Sequence, residues 1–191
     1  MSWIREIDQG EAEGDLGELY ADIVAKRGKV ANILKVHSLN PGALKTHGDL
    51  YLHLLFGRSR LSRAEREAIA VVTSHHNHCD YCIEQHFEAL AKFEKDPERL
   101  QAIRTGRFEA LDLRTAAMLR HAAMLTSRPD KAAEDDIECL RAAGFSDEEV
   151  LDVTLVTAYF NFVNRIALGL GVTFDEDEIR GYSNQSCLAP V

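Results

Sequence analysis

Apolar residues recur about every 3.6 positions along nearly the whole chain, and no segment alternates as a strand would. The spacing predicts a short helix over Leu16 to Lys26, ended by Gly28, and a second over Val30 to Ser38. Asn40-Pro41 opens a third through Leu55, with Gly57 as its stop. Ser62, followed three residues later by Glu65, has the form of a capping box and starts a helix reaching about His76. The next runs from Asp80 to about Lys95, and Pro97 begins a short turn of helix. Asp112 caps a helix through Thr126, and Asp130 to Ala143 reads as helical up to Gly144. Ser146 and Glu149 repeat the capping box and open a helix ending near Gly171. FDEDEIRGYSNQSCLAPV reads as a short helix and a frayed tail. The expected fold class is all-α, a multi-helix bundle.

Part of the pattern repeats. SRAEREAIAVVTSHHN and SDEEVLDVTLVTAYFN align without gaps, matching Ser62, Glu65, Val72, Thr73 and Asn77 to Ser146, Glu149, Val156, Thr157 and Asn161. Capping boxes and apolar helices also recur by chance, so internal duplication and coincidence both stay open.

Length and charge narrow the reading. The 191 residues suit a single domain with a sizeable core. A net charge of −9 argues against nucleic acid and anionic membranes, which require a basic face. The N-terminus shows no apolar core of signal-peptide length. No spanning helix is expected, because the longest apolar stretch is interrupted by Asp152, Asn161, Asn164 and Arg165. A cytoplasmic location is the default expectation. Asn164-Arg165 reads as a buried structural or subunit-contact ion pair rather than a catalytic one.

Chemistry concentrates in EREAIAVVTSHHNHCDYCIEQH, Glu65 to His86. Of the four cysteines, Cys139 and Cys187 stand alone, while Cys79 and Cys82 form a C-x-x-C pair. On a helix these two are neighbours, and His86 lies four beyond Cys82 on the same face, where an imidazole can take a thiol proton. Asn77, His78 and Asp80 suit a helix break, which would put Cys82 in the first turn of a new helix. The dipole there lowers a thiol pKa. Glu67 precedes Cys82 by 15 positions, roughly 22 Å along a straight rod, too far to assist. A reversal near Asn77 changes this, since Glu67 then lies ten positions before the turn and His86 nine after it. Glu67, His86 and the cysteine pair thus make a proton relay only if the chain folds back. The competing readings are a zinc site from His75, Cys79, Cys82 and His86, and a non-catalytic redox-sensing or binding module. His75, His76 and His78 read as surface or packing residues. His37, His47, His53 and His121 have no nameable partner.

The spacing Glu67-x11-Cys79-x2-Cys82-x3-His86 resembles the signature of the alkylhydroperoxidase D-like group within the carboxymuconolactone decarboxylase family. The flanks LSRAEREAIAVV, CDYC and AGFSDEEVLDVTLVTAYFNFVNRIALGLGV are similar to its uncharacterised peroxidase-related branch. The likeness covers about residues 15–175 of a single domain over 1–191, leaving 176–191 as a tail. The resemblance implies a cysteine peroxidase without metal or haem, assembled as a homotrimer or homohexamer. It implies that Cys82 attacks a hydroperoxide, Cys79 closes the disulfide, and Glu67 and His86 relay the proton. A dithiol donor, such as a lipoyl carrier, would reset the pair. One departure stands out: Tyr81 occupies the place where well-known members have a histidine, and tyrosine is a poor proton shuttle at neutral pH. His78 is a candidate substitute. Relatives that decarboxylate lactones lack the cysteines, so Cys79 and Cys82 argue against that activity.

Overall fold

The computed structural model describes residues 2–174, 176–180 and 182. Cys187 and most of the expected tail lie outside them. Among the described residues there is no strand, and the α-helices are α1 (Gly14–Arg27), α2 (Asn32–Lys35), α3 (Pro41–Phe56), α4 (Arg63–His76), α5 (Asp80–Leu90), α6 (Pro97–Thr105), α7 (Leu113–Ser127), α8 (Glu134–Ala142), α9 (Asp147–Leu170) and α10 (Glu176–Ile179). The all-α reading holds.

Helix starts follow the capping residues closely. The side chains of Asn40, Ser62, Asp96 and Asp112 each accept a backbone N–H of the helix they open. Helix ends differ more. The second helix shrinks to one turn at α2. α5 stops at Leu90, and beyond it Glu94 Oε1 accepts the N–H groups of Lys95 (2.8 Å) and Asp96 (2.9 Å), turning the chain toward α6. The helix expected from Asp130 is broken into a 3-10 turn, Pro129–Lys131, and α8. There Asp136 Oδ2 reaches back to the Ala133 N–H at 2.9 Å, and Glu134, Asp135 and Asp136 favour a helix N-terminus at that point.

The chain divides into two compact units, Met1–Gly57 with Ile166–Val191, and Arg58–Arg165. In the first, Leu16, Tyr20 and Leu44 form a buried cluster flanked by Ile7, Leu19, Ile23 and Leu34. His37 and His47 partner each other there, Nε2 to Nδ1 at 3.2 Å, and burial, then the neighbouring His37, pushes His47 down to about 4.

The second unit is built around α4. Nine successive residues, Arg66 to Ser74, are buried, so this helix is enclosed on all sides. It packs against α5, α6 and α7. Beside it runs α9, and the aligned segments meet at equivalent points. Each opens with a closed capping box, Ser62 with Glu65 and Ser146 with Glu149. Arg114 bonds Glu149 at 2.6 Å and lies 3.7 Å from Glu65. Twelve residues beyond each glutamate, Asn77 Nδ2 donates to Asn161 Oδ1 at 3.0 Å. The two segments therefore lie parallel and in register, an arrangement consistent with internal duplication.

At 24 residues α9 also passes by length and composition for a membrane span, contrary to the sequence reading. Its burial is that of a core helix: Val153, Val156, Thr157, Phe160, Val163 and Asn164 all face the interior.

A tight reversal joins α4 to α5. Asn77 caps α4, and His78 adopts φ 55°, the only non-glycine residue with positive φ among those described. The His78 N–H bonds to His75 O (3.0 Å) and the Cys79 N–H to Ser74 O (2.9 Å), the double closure of a Schellman motif. Glycine is the usual occupant of this position; histidine pays a steric cost. His78→Gly is expected to raise stability by up to about 1 kcal/mol, offset in part by the greater freedom of the unfolded chain. The midpoint of urea unfolding measures this. A lower midpoint would mean that the His78 side chain itself stabilises the turn.

Candidate functional site

The α4–α5 hairpin performs the convergence that the residue count requires. Glu67 is fully buried, and its Oε2 lies 2.6 Å from His86 Nδ1. Its Oε1 is gripped by Arg63, one turn earlier, through Nε (2.7 Å) and Nη2. Burial pushes the Glu67 carboxyl up, but the charges and hydrogen bonds of His86 and Arg63 outweigh it and hold the group below the usual carboxylate range. An ionised Glu67 accepts the His86 Nδ1–H and so fixes the tautomer, leaving Nε2 as the nitrogen for proton exchange. The His86 ring is braced edge-on by Phe160, with centroids 4.5 Å apart.

Cys79 is the N-cap residue of α5, and Cys82 sits in its first turn. Both are free thiols with exposures of 1% and 2%, so a reagent reaches them only through local opening of the packing. Their acidities differ from the dipole expectation. Cys82, expected to be acidified, is instead pushed well up: its hydrogen bond to Cys79 comes first, then burial, then the Cys79 charge. Cys79 is lowered, chiefly because the Cys82 thiol hydrogen-bonds to it, against the opposing effect of burial. The two thiols are thus driven apart in acidity, Cys79 downward and Cys82 upward, each by the other's sulfur. At Cys82 the neighbouring sulfur and complete burial outweigh the helix dipole.

Among the described residues no hydrogen bond joins His86 to either sulfur. The hairpin brings together the acid and imidazole, and separately the two thiols.

Other expected residues fall outside this group. Tyr81 is buried in the first turn of α5. His78 is exposed, and its visible role is the turn. His76 Nδ1 pairs with Ser127 Oγ at 3.2 Å, and its ring meets His75 edge-on. Among the described residues no three His, Cys, Asp or Glu side chains are gathered as metal ligands, so the zinc reading has no cluster to rest on. Asn164-Arg165 is not an ion pair. Asn164 is fully buried and hydrogen-bonded to Ser74 and Asn77, whereas Arg165 is exposed and donates to Asn161. Sequence reasoning missed Arg63, although Arg-x3-Glu is a recognisable helical pair.

Residues 41–123 match the carboxymuconolactone decarboxylase family. An uncharacterized peroxidase-related protein from Silicibacter sp. TM1040 is 31% identical, with a TM-score of 0.83 over 93% of this chain and 94% of that one. The chain belongs to the AhpD-like carboxymuconolactone decarboxylase family. A second solved relative, an alkylhydroperoxidase AhpD core protein from Ralstonia eutropha JMP134, also described as peroxidase-related, is 26% identical with a TM-score of 0.83 over 93% of this chain and 94% of that one. The uncharacterized protein YdfG of Bacillus subtilis (strain 168) is 24% identical over 115 residues, 60% of this chain and 78% of that protein. Glu67, Cys79, Cys82 and His86 lie within the matched residues 41–123.

Proposed function

We propose that this protein is a thiol-dependent hydroperoxide reductase that cycles Cys79 and Cys82 between dithiol and disulfide. The observation that carries the reading is the 2.6 Å Glu67–His86 contact across the hairpin, with Cys82 four residues from His86 on α5.

Cys82, with its raised pKa, needs a base to become a nucleophile, and His86 Nε2, oriented by Glu67, is the candidate base. The Cys82 thiolate attacks the hydroperoxide, the O–O bond breaks, and the leaving alkoxide takes the proton held on His86. Products are an alcohol and a Cys82 sulfenic acid. The Cys79 thiolate then attacks the sulfenic sulfur, forming the disulfide and releasing hydroxide, which is protonated to water. A dithiol donor, for example a lipoyl carrier, reduces the disulfide by exchange and is itself oxidised. The lowered pKa of Cys79 favours it as the leaving thiolate in that exchange. No metal, haem or other resident cofactor takes part in these steps. A dithiol resting state suits a reducing compartment such as the cytoplasm. Self-assembly into a trimer or hexamer is part of the same reading: Leu151, Leu155, Ala158 and Phe162 form an exposed stripe on α9 that a second copy would cover.

The test is consumption of an organic hydroperoxide in the presence of a dithiol such as dihydrolipoamide, compared with the same mixture lacking protein. Multiple turnovers are expected. A single slow oxidation without dithiol-supported turnover would instead fit a redox-sensing module, a reading that the burial of both sulfurs favours.

A further inference from the structure

We propose that Asn164, reaching from α9, is the positioning residue of the dithiol: it pins the α4–α5 turn from inside and offers an amide N–H to the Cys79 and Cys82 sulfurs. The inference rests on the function proposed above, but its test does not require peroxide.

Asn164 is fully buried on α9, where an unpaired amide would be costly. Its oxygen and one of its N–H groups are engaged within the protein. Oδ1 accepts from Asn77 Nδ2 at 2.9 Å, and Nδ2 donates to Ser74 Oγ at 3.0 Å. Because Asn77 donates to it, the oxygen must be on that side and the NH2 on the other. The two partners flank the reversal that presents Cys79, and the Ser74 carbonyl itself accepts the Cys79 N–H at 2.9 Å. Asn77 is held a second time by Asn161 Oδ1 at 3.0 Å, which also accepts from Arg165 Nη1 at 2.9 Å.

An amide nitrogen carries two hydrogens, and Ser74 uses one. The other is available to the thiols, and the Asn164 side chain favours the ionised form of both cysteines. A neutral donor in this place stabilises whichever sulfur is negative without fixing the charge on either. This suits a pair in which the attacking sulfur changes during the cycle, from Cys82 on the hydroperoxide to Cys79 on the sulfenic acid. A sulfenate oxygen is an acceptor for the same N–H.

The experiment is a pH titration of thiolate ultraviolet absorbance in the reduced protein, with Cys139 and Cys187 replaced by serine so that only the pair is read. Asn164→Ala is expected to raise the midpoint of the first thiolate by about one pH unit, a roughly tenfold loss of thiolate at neutral pH. Asn164→Asp keeps the shape, replaces the donor with an acceptor, and is expected to shift the midpoint at least as far. It serves if the alanine variant folds poorly. Ser74→Ala removes only the buttress and should leave the midpoint in place. Unchanged midpoints in both Asn164 variants, or an equal shift in Ser74→Ala, would overturn the inference. A shifted midpoint in a protein that never turns over peroxide would leave Asn164 as dithiol-positioning and remove only the peroxidase reading.

Discussion

Cys82→Ser is expected to lower dithiol-supported peroxide turnover by roughly a thousandfold or more, to the rate without protein. Serine cannot form a sulfenic acid or a disulfide, so both halves of the cycle are lost. Cys79→Ser should behave differently, and the difference separates the two roles. Its Cys82 keeps His86 on the same helical face and loses the sulfur partner whose hydrogen bond, ahead of burial and of the Cys79 charge, raises its pKa. The first oxidation should therefore proceed at least as fast at neutral pH and then stop at the sulfenic acid, since no second thiol is in place. Trapping with dimedone, followed by peptide mass, reads that species directly. Turnover surviving in Cys82→Ser, with Cys79→Ser inactive from the first equivalent, would reverse the roles assigned here.

Glu67→Gln is the second large effect. The change keeps the shape, removes the charge, and leaves Arg63 facing a neutral amide in a buried setting. Turnover is expected to fall by about 10²–10⁴, the usual span of a general acid–base contribution. Stability is expected to fall by about 2–4 kcal/mol, somewhat less than for breaking a fully buried pair, because Arg63 is partly exposed. The pH dependence provides a sign check. The folded-state pKa of Glu67 is depressed, so its stabilisation is fully present above the unfolded carboxylate value, about 4.3. It is lost as pH falls through the lower folded value. Wild-type protein should thus lose more stability than Glu67→Gln on acidification through that window, and urea unfolding at a series of pH values measures the gap. Parallel pH profiles for the two proteins would mean that the buried carboxylate is not the ion that His86 and Arg63 hold.

Local signals carried most of the fold. Asn40, Ser62, Asp112 and Ser146 announce their helices because a capping side chain is a one-residue event legible without tertiary context. The reversal at Asn77–His78 was legible for the same reason, and the Glu67–His86 contact followed from counting residues on either side of it. What was illegible depends on packing. Nothing in Ala132-Ala133 marks a helix break, and the break arises where the acidic first turn of α8 outcompetes continuation from Pro129. The Cys82 acidity was misjudged because helix position is written in the sequence and burial is not. Asn164 was visible only as a polar residue in an apolar run; its partners, Ser74 and Asn77, lie about ninety positions away and are specified by how α9 docks beside α4.

The central claim is that a hydroperoxide converts Cys79 and Cys82 into one intramolecular disulfide. Intact mass after one equivalent of hydroperoxide on the fully reduced protein tests it most directly. The account predicts a loss of two hydrogens, mapped by digestion to the peptide spanning Cys79 and Cys82. An unchanged mass, or an added oxygen located elsewhere in the chain, would contradict it.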